Sequence, residues 1–311
     1  MSRRQAPLVA LLGPTAVGKT EVSIELAQRL NGEVVSADSR LVYRSMDIGT
    51  AKPSPADLAR VPHHLIDLVQ PDQPFSLGAY RKAALAAIQD IHARGRLPLL
   101  VGGTGQYLTA VLQGWQPPPA PADRGLRRQL EAFAEAEGHQ ALHARLAEVD
   151  PERARAIDSR NIRRVVRALE IYHSTGTRPS EARHKAPPPF DIFRAGLHRP
   201  RRDLYERIDR RLDAMLANGW LDEVAGLLER GIDPEAPAMS AIGYRQLADV
   251  VRGDMSLEEA KQLIRSASRK FVRRQANWFK ADDPNIVWFD MAPGVVETIE
   301  DRLRRWLAGP A

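Results

Sequence analysis

The 311-residue chain contains no cysteine. Disulfides, thiolate metal sites and cysteine catalysis are therefore excluded, and a reducing compartment fits that absence. Long apolar runs are missing too. No stretch approaches the 18 or so residues of a membrane span, and Met1-Ser2-Arg3-Arg4 leads into the first strand pattern without a signal-like segment. A cytoplasmic location, away from membranes, is expected. There is no internal repeat and no low-complexity tract. His63-His64 lacks acidic or histidine partners at metal-ligand spacing, which favours a structural or substrate-side role, and the other histidines show no ligand pattern.

What is present describes a soluble globular chain. The length fits roughly two domains, and 43% hydrophobic with 27% charged residues leaves enough apolar material for a sizeable core. The net charge of +6 is unevenly spread. Residues 153–211 hold 16 Lys/Arg against 7 Asp/Glu, and residues 261–280 hold 7 basic residues and no acidic one. Such clustering points to a polyanionic partner larger than a nucleotide, although Arg-rich helices also simply solvate a face.

Residues 13–20 read Gly13-Pro14-Thr15-Ala16-Val17-Gly18-Lys19-Thr20, a complete G-x-x-x-x-G-K-[ST] phosphate-binding loop. An apolar run (8–12) precedes it and a helical pattern (21–30) follows, the setting the motif requires. Its glycines allow a turn that aims backbone N–H groups at an anion, while the helix N-terminus and Lys19 add positive charge. Thr20 can offer its hydroxyl to a magnesium ion shared with the phosphates. The chain binds a polyphosphate, and the loop alone does not say which.

Further strand patterns at 32–37 and 97–101, with a helix up to His92 between them, give a βαβ rhythm. The expected fold is α/β: a P-loop NTPase-like parallel sheet flanked by helices, with ligands at the carboxyl ends of the strands. Proline clusters at 117–121 and 187–189 bracket a wholly helical stretch (roughly 123–137, 141–146, 151–156 and 161–174). This predicts a core domain of residues 1–116 and 190–311 and a helical insertion domain of residues 117–189. After the insertion, 192–197 reads as a returning core strand. Helices follow at 202–218, 221–230 and 257–279, with a turn at 239–243 and a late strand at 286–289.

Asp38 ends the second strand pattern, where a carboxylate can accept a proton from a nucleophile; the same position suits a cap or turn residue. Gly102-Gly103-Thr104-Gly105 ends the next strand with glycines and a hydroxyl. A hydrolytic P-loop enzyme usually has an acidic residue there, so this is weak evidence against an ATPase and for a substrate passing close to the main chain. A plain glycine turn fits as well. The polar, irregular segment 43–53 has the character of a functional loop, with no role named by its physics. Lys261, Arg265, Arg269 and Arg273 recur at i, i+4, a like-charged stripe best tolerated opposite an anion. A nucleic acid is the favoured anion, and Trp278 and Phe279 read as core rather than as stacking platforms.

Taken together, these motifs resemble the bacterial tRNA dimethylallyltransferases (the tRNA adenosine isopentenyltransferase family). The resemblance runs from about residue 6 to residue 289. It rests on the 13–20 loop, Asp38-Ser39 with Val42-Tyr43-Arg44, 46–53 (Met-Asp-Ile-Gly-Thr-Ala-Lys-Pro), Pro62-His63-His64-Leu65, 101–105 with Tyr107, 163–170, 241–246 and 273–279. It implies transfer of a dimethylallyl group from dimethylallyl diphosphate to N6 of adenine 37 in tRNAs reading codons that begin with U. Diphosphate is released and Mg²⁺ assists.

By resemblance, Asp38 is the base and Thr104 assists at the reacting end. Gly13, Pro14, Thr15, Ala16, Val17, Gly18, Lys19 and Thr20 hold the diphosphate with Arg211, and Thr20 holds Mg²⁺. The tRNA anticodon stem-loop would be met by Asp38, Ser39, Arg40, Leu41, Thr104, Arg127, Arg163, Arg164, Val165, Val166 and Arg167. It would also meet Ala241, Ile242, Gly243, Tyr244, Arg245, Gln246, Arg273, Arg274, Gln275, Ala276, Asn277, Trp278, Phe279 and Lys280. Four positions depart from the family's usual residues: Arg40, Leu41, Gln106 and Asn277, the last costing a hydroxyl. A monomer is the expected state. The rival reading is an ATP-binding P-loop kinase of a small metabolite, with Asp38 activating a hydroxyl and the helical insertion acting as a lid.

Overall fold

The computed structural model describes residues 5–118, 123–182 and 184–309; Met1 to Arg4, and Pro119 and Pro121 of the first proline cluster, lie outside them. β1 (Ala6–Leu12) runs through the phosphate loop into α1 (Lys19–Arg29), and β2 (Gly32–Ser36) follows. A long connection carries α2 (Pro55–Arg60) and β3 (His63–His64). α3 (Leu77–Ala93) then leads to β4 (Leu97–Gly102) and α4 (Gly105–Leu112). Next come β5 (Trp115–Gln116), α5 (Arg124–Glu137), α6 (His139–Val149), α7 (Pro151–Arg155), α8 (Ile162–Thr175) and β6 (His184–Lys185). The chain returns with β7 (Phe190–His198), followed by α9 (Arg201–Ala217), α10 (Trp220–Glu229), α11 (Tyr244–Arg252), α12 (Leu257–Gln275), β8 (Val287–Asp290) and α13 (Val295–Ala308).

The main sheet has the order β3-β2-β4-β1-β7-β8, and every pairing in it is parallel. Strands buried on both faces need continuous apolar runs. β1 has one, with Leu8 to Leu12 no more than 1% exposed. The parallel sheet puts the phosphate loop, the 37–41 turn and the 102–104 turn at one set of strand ends, the carboxyl ends, where ligands gather in open α/β sheets.

The chain divides into two compact units, Met1–Val111 with Pro189–Ala311, and Leu112–Pro188. The second begins at Leu112 rather than at 117, because β5 pairs antiparallel with β6 inside it (Trp115 opposite Lys185). Its core is Leu130, Leu142, Leu146, Val165 and Leu169 on α5, α6 and α8. Within the first unit one apolar cluster joins the sheet to α1 and α13. A second packs Val42, Tyr43 and Met46 against Trp220, Tyr244 and Ile264. Each such side chain contributes about 1.5–3 kcal/mol on full burial.

Several boundaries differ from the sequence expectation. The helix expected over 257–279 ends at Gln275, after which Asn277 and Trp278 donate i→i−3 bonds to Arg274 and Gln275 and the chain turns. α2, α11 and α13 carry no expectation of their own. α2 buries no residue, so its sequence shows no apolar stripe, and it is held by a Ser54/Asp57 capping box with Pro55 in its first turn. α11 starts beyond the expected turn at a Gly243 with φ +99°, a value that disfavours any side chain.

Candidate active site

α1 begins at Gly18 (φ +114°), which has no side chain to cap it. The first-turn amides of a helix have no partner within it, so those at Gly18 to Thr20 are donors for a ligand. The loop's carbonyl oxygens, by contrast, are occupied by cations. Lys19 Nζ donates to Gly13 (3.0 Å) and Pro14 (2.8 Å), Arg207 Nε to Ala16 (2.7 Å) and Arg199 Nε to Val17 (3.0 Å). Arg211 donates to the Thr15 hydroxyl at 2.9 Å. Tying back the carbonyls turns the loop's negative dipole ends away from an incoming anion.

Two of the assigned loop residues are already engaged. The Thr15 amide is held by Gln275 Oε1 at 2.9 Å, and the Val17 amide faces Pro14 O at 3.4 Å. Thr15 therefore offers its hydroxyl to the site, and Val17 is buried core.

The loop borders a cavity of about 580 Å³ with two kinds of lining. Lys19, Thr20, Asp38, Arg207, Arg210 and Arg211 are charged or polar; Val34, Leu41, Ala51, Pro53, Ile66 and Val101 are apolar. Burial pushes the Lys19 ammonium down to about 8; Asp38 opposes that fall and Arg211 adds to it. Arg211 is likewise lowered by burial, raised by Asp38 and lowered by Arg207. Both cations thus feel the Asp38 carboxylate. Asp38 Oδ1 accepts the Arg40 amide at 2.8 Å, an Asx turn that fixes the side chain at the tip of β2. The turn reading of this position is met, and the residue also lines the cavity.

Thr104 is not among the lining residues. Its hydroxyl accepts the Ser39 amide at 3.1 Å, and its own amide donates to Ala37 O, so it locks the Asp38 turn to the end of β4. The close approach expected at the glycines is made by the chain itself. A Cβ on Gly102 would lie 2.3 Å from Ala37 O, and one on Gly103 would lie 2.4 Å from Gln275 Nε2. His63 lines the cavity and bonds Val61 O, while His64 bonds the buried Glu33.

The residues assigned to tRNA differ widely in their surroundings. Val165, Val166, Ala241, Tyr244, Gln275 and Phe279 are buried. Arg127 and Arg167 are spent on the fully buried Glu170 (2.8 and 2.5 Å), which also takes the Asp123 amide. Gln246 accepts the Gly243 amide and Arg245 pairs with Glu235, so this motif mostly builds the start of α11; Ile242 is half-buried in the same cluster. Arg40 is half-buried and reaches Pro237 O and Ser240 Oγ. Arg163, Arg164, Arg273, Arg274, Ala276, Asn277, Trp278 and Lys280 are exposed. Trp278, expected in the core, is 45% exposed; its ring lies on Gly105, where a Cβ would come within 2.1 Å of the indole.

The basic stripe of α12 has its anion within the protein. Arg269 meets Asp209 at 2.6 Å, Arg265 meets Asp213 at 3.3 Å, Lys261 meets Glu258 and Asp213, and Arg273 reaches the Tyr205 hydroxyl. Asp209 and Asp213 repeat on α9 with the same four-residue spacing. The stripe forms a helix–helix seam in which Lys261, Arg265 and Arg269 each meet a carboxylate of α9. Arg199 and Arg207 act here without a sequence signal beyond the general basic count, and Gln275, assigned to tRNA, instead holds the Thr15 amide, because their partners are distant in the chain.

Among the described residues, no group of three or more His, Asp or Glu is arranged to hold a metal, and no helix is long and apolar enough to cross a membrane.

The IPP transferase family model matches residues 41–282, and an isopentenyl transferase model matches residues 6–68. The chain is 55% identical to the tRNA dimethylallyltransferase of Roseiflexus sp. (strain RS-1), covering 88% of this chain and 90% of that one. It is 48% identical to that of Thermomicrobium roseum, covering 99% and 93%. Among solved structures it resembles the tRNA isopentenylpyrophosphate transferase of Bacillus halodurans (43% identity, 98% and 96% coverage, TM-score 0.71). It also resembles a eukaryotic dimethylallyltransferase acting on tRNA (26% identity, 98% and 80% coverage, TM-score 0.80).

Proposed function

The chain belongs to the IPP transferase family, and from that premise we propose that it transfers a dimethylallyl group from dimethylallyl diphosphate to N6 of adenine 37 in the anticodon loop of tRNA. The carrying observation is the mixed lining of the 580 Å³ cavity, which has Lys19, Arg207, Arg210 and Arg211 together with apolar Leu41, Ala51 and Ile66. A small prenyl chain on a diphosphate has that same mixture.

The donor's diphosphate lies on the Gly18–Thr20 amides, Lys19 and Arg211. Attack by N6 on the allylic carbon forms the C–N bond as the C–O bond breaks, and the bonding pair leaves on the diphosphate oxygen. Charge then develops where these donors already point. The exocyclic amine is a weak nucleophile, and Asp38 takes its proton, removing the positive charge that attack creates. Thr104 acts at one remove, by holding the Asp38 turn. A stacked adenine cannot reach a cavity floor, so the base is splayed from the loop.

Magnesium fits a donor set of this kind. It is commonly bound through one or two protein oxygens with waters and substrate phosphates, and Thr20 offers the hydroxyl. When bound it supplies further positive charge to the diphosphate. Exposed Arg163, Arg164, Arg274 and Lys280 offer phosphate contacts, and Trp278 offers a face for a base. The tRNAs are those reading codons that begin with U, and the working form is a cytoplasmic monomer.

The test incubates the protein and Mg²⁺ with radiolabelled dimethylallyl diphosphate and unmodified tRNA carrying A36-A37-A38. Label entering tRNA is expected. ADP formed from ATP without tRNA, and no label in tRNA, would establish the kinase reading instead.

A further inference from the structure

Glu223, on α10, lies outside the cavity and carries no role in the reaction described above. Its carboxylate nonetheless collects four donors. Oε2 accepts the amides of Asp47 and Ile48, both at 2.7 Å, and Oε1 accepts the Gly49 amide at 3.2 Å and the Tyr244 hydroxyl at 2.7 Å. No cation pairs with Glu223 among the described residues, so three consecutive backbone N–H groups and one phenol carry the compensation of its charge.

The amides belong to the loop whose next residues, Thr50, Ala51 and Pro53, line the cavity. The phenol belongs to the first residue of α11. Three residues earlier on α10, at Trp220, the same two elements meet again. The Trp220 indole is 2% exposed and fills the space that a side chain would need at Gly49 and at Gly243, where a Cβ would lie 2.0 and 2.1 Å from the ring.

That loop does not hold its shape by propensity. Ser45 (φ +59°) and Ala51 (φ +55°) are non-glycine residues in the left-handed region, a conformation that persists only where surroundings enforce it. Glu223 holds the stretch between them, through the amides at 47–49. The buried Lys52 holds it on the far side, bonding Asp47, Asp67 and Tyr43 O. Burial first, and then the Glu223 carboxylate, raise the Tyr244 hydroxyl far above its ordinary range, so it remains a donor at any working pH.

We infer that Glu223 is a positioning residue that ties the 47–53 wall of the donor cavity to the start of α11, so that the two move as one body. Calling that wall a donor site rests on the transferase reading. The tether itself does not. A change at the α11 motif, far along the chain from residues 47–53, is thereby felt as a change in the affinity of the prenyl-diphosphate site.

The experiment uses the full-length protein and the variants Glu223→Gln, Tyr244→Phe and the pair together. Glu223→Gln keeps the shape but removes the charge that three amides share. Hydrogen exchange of the amides at 47–49 should quicken about tenfold or more, and the KM for dimethylallyl diphosphate should rise on the order of tenfold. kcat at saturating donor should change less than KM. Tyr244→Phe deletes one oxygen far from the diphosphate, yet should raise donor KM about two- to fivefold. In the double variant the two effects should not add, since they act through one carboxylate. Unchanged exchange at 47–49 in Glu223→Gln overturns the tether, and so does full additivity in the double variant. If the parent protein transfers no prenyl group, the functional reading falls, and the exchange experiment still decides the tether by itself.

Discussion

Gln275 bridges Thr15 and Gly103: its side-chain oxygen accepts the Thr15 amide at 2.9 Å, and its amide nitrogen donates to Gly103 O at 2.9 Å. A residue at the end of α12 thereby fixes the spacing between the phosphate loop and the turn after β4. Replacing it with leucine keeps the volume and strips both partners, leaving a buried amide and carbonyl unpaired. A loss of about 1–3 kcal/mol of stability is expected, with weaker donor binding, read by thermal denaturation and by donor KM. Wild-type values for both would show that the bridge is dispensable.

Lys19 sets a pH dependence with two opposite signs. Its ammonium sits at about 8 in the free protein, down from 10.5. The unfolded chain therefore holds more protons between those values, and folding stability rises with pH across that window. Donor capture runs the other way. The diphosphate needs the charged form, so kcat/KM for the donor should fall above about pH 8 while the melting temperature climbs. Lys19→Met should flatten both trends. Profiles that fall together would assign the limb to another group.

Asp38→Asn separates the two tasks of that residue. Asparagine still accepts the Arg40 amide and keeps the turn, but it cannot take a proton. kcat should drop roughly 10²–10⁴-fold with tRNA affinity retained, as measured by single-turnover transfer and filter binding. Equal activity in the asparagine variant would remove Asp38 as the base.

Arg269 and Arg274 lie five residues apart on one helix and should behave differently. Arg269→Ala leaves Asp209 in the α9–α12 seam with only Arg265, 3.9 Å away, lowering the melting temperature with the salt slope of tRNA binding unaltered. Arg274→Ala should leave stability alone and reduce that slope by about one unit for a lost phosphate contact. Matching salt slopes in the two variants would erase the distinction.

Much of the architecture is readable from residue order because its signals are local. The apolar run at 8–12, the glycines and lysine of the loop and the helix behind it specify β1, the turn and α1 within 25 residues. The run beginning at Ile192 announces β7 after two proline clusters. Tyr244, Leu247 and Ala248 give α11 a buried face at i, i+3 and i+4, a signal hidden behind the glycine turn at 239–243. The site's supports are another matter. Gln275 is one polar residue within a basic run, and its partners stand 260 and 172 residues away. The α12 stripe shows the same limit: four cations at i, i+4 are plain in the sequence, and nothing local says that Asp209 and Asp213 on α9 face them. A charge pattern reveals that an anion is wanted, and only the fold says whose.

β1 lies at the middle of the sheet, with β4 on one side and β7 on the other. Its β4 side is complete once residue 102 is made, but its β7 side waits for residue 190. The helical unit, Leu112–Pro188, is synthesised in between. At ordinary rates of ~5–20 residues per second, the β7-facing edge of β1 stays unpaired for roughly 4–18 s after β4 is made. An open edge of that kind is a template for wrong pairing. The interposed helices have mostly local contacts and fold quickly, so by the time β7 emerges the chain between the two halves of the sheet is already compact. The insertion thus acts as a timer on closure of the core, and the nascent protein is most in need of a chaperone while it runs.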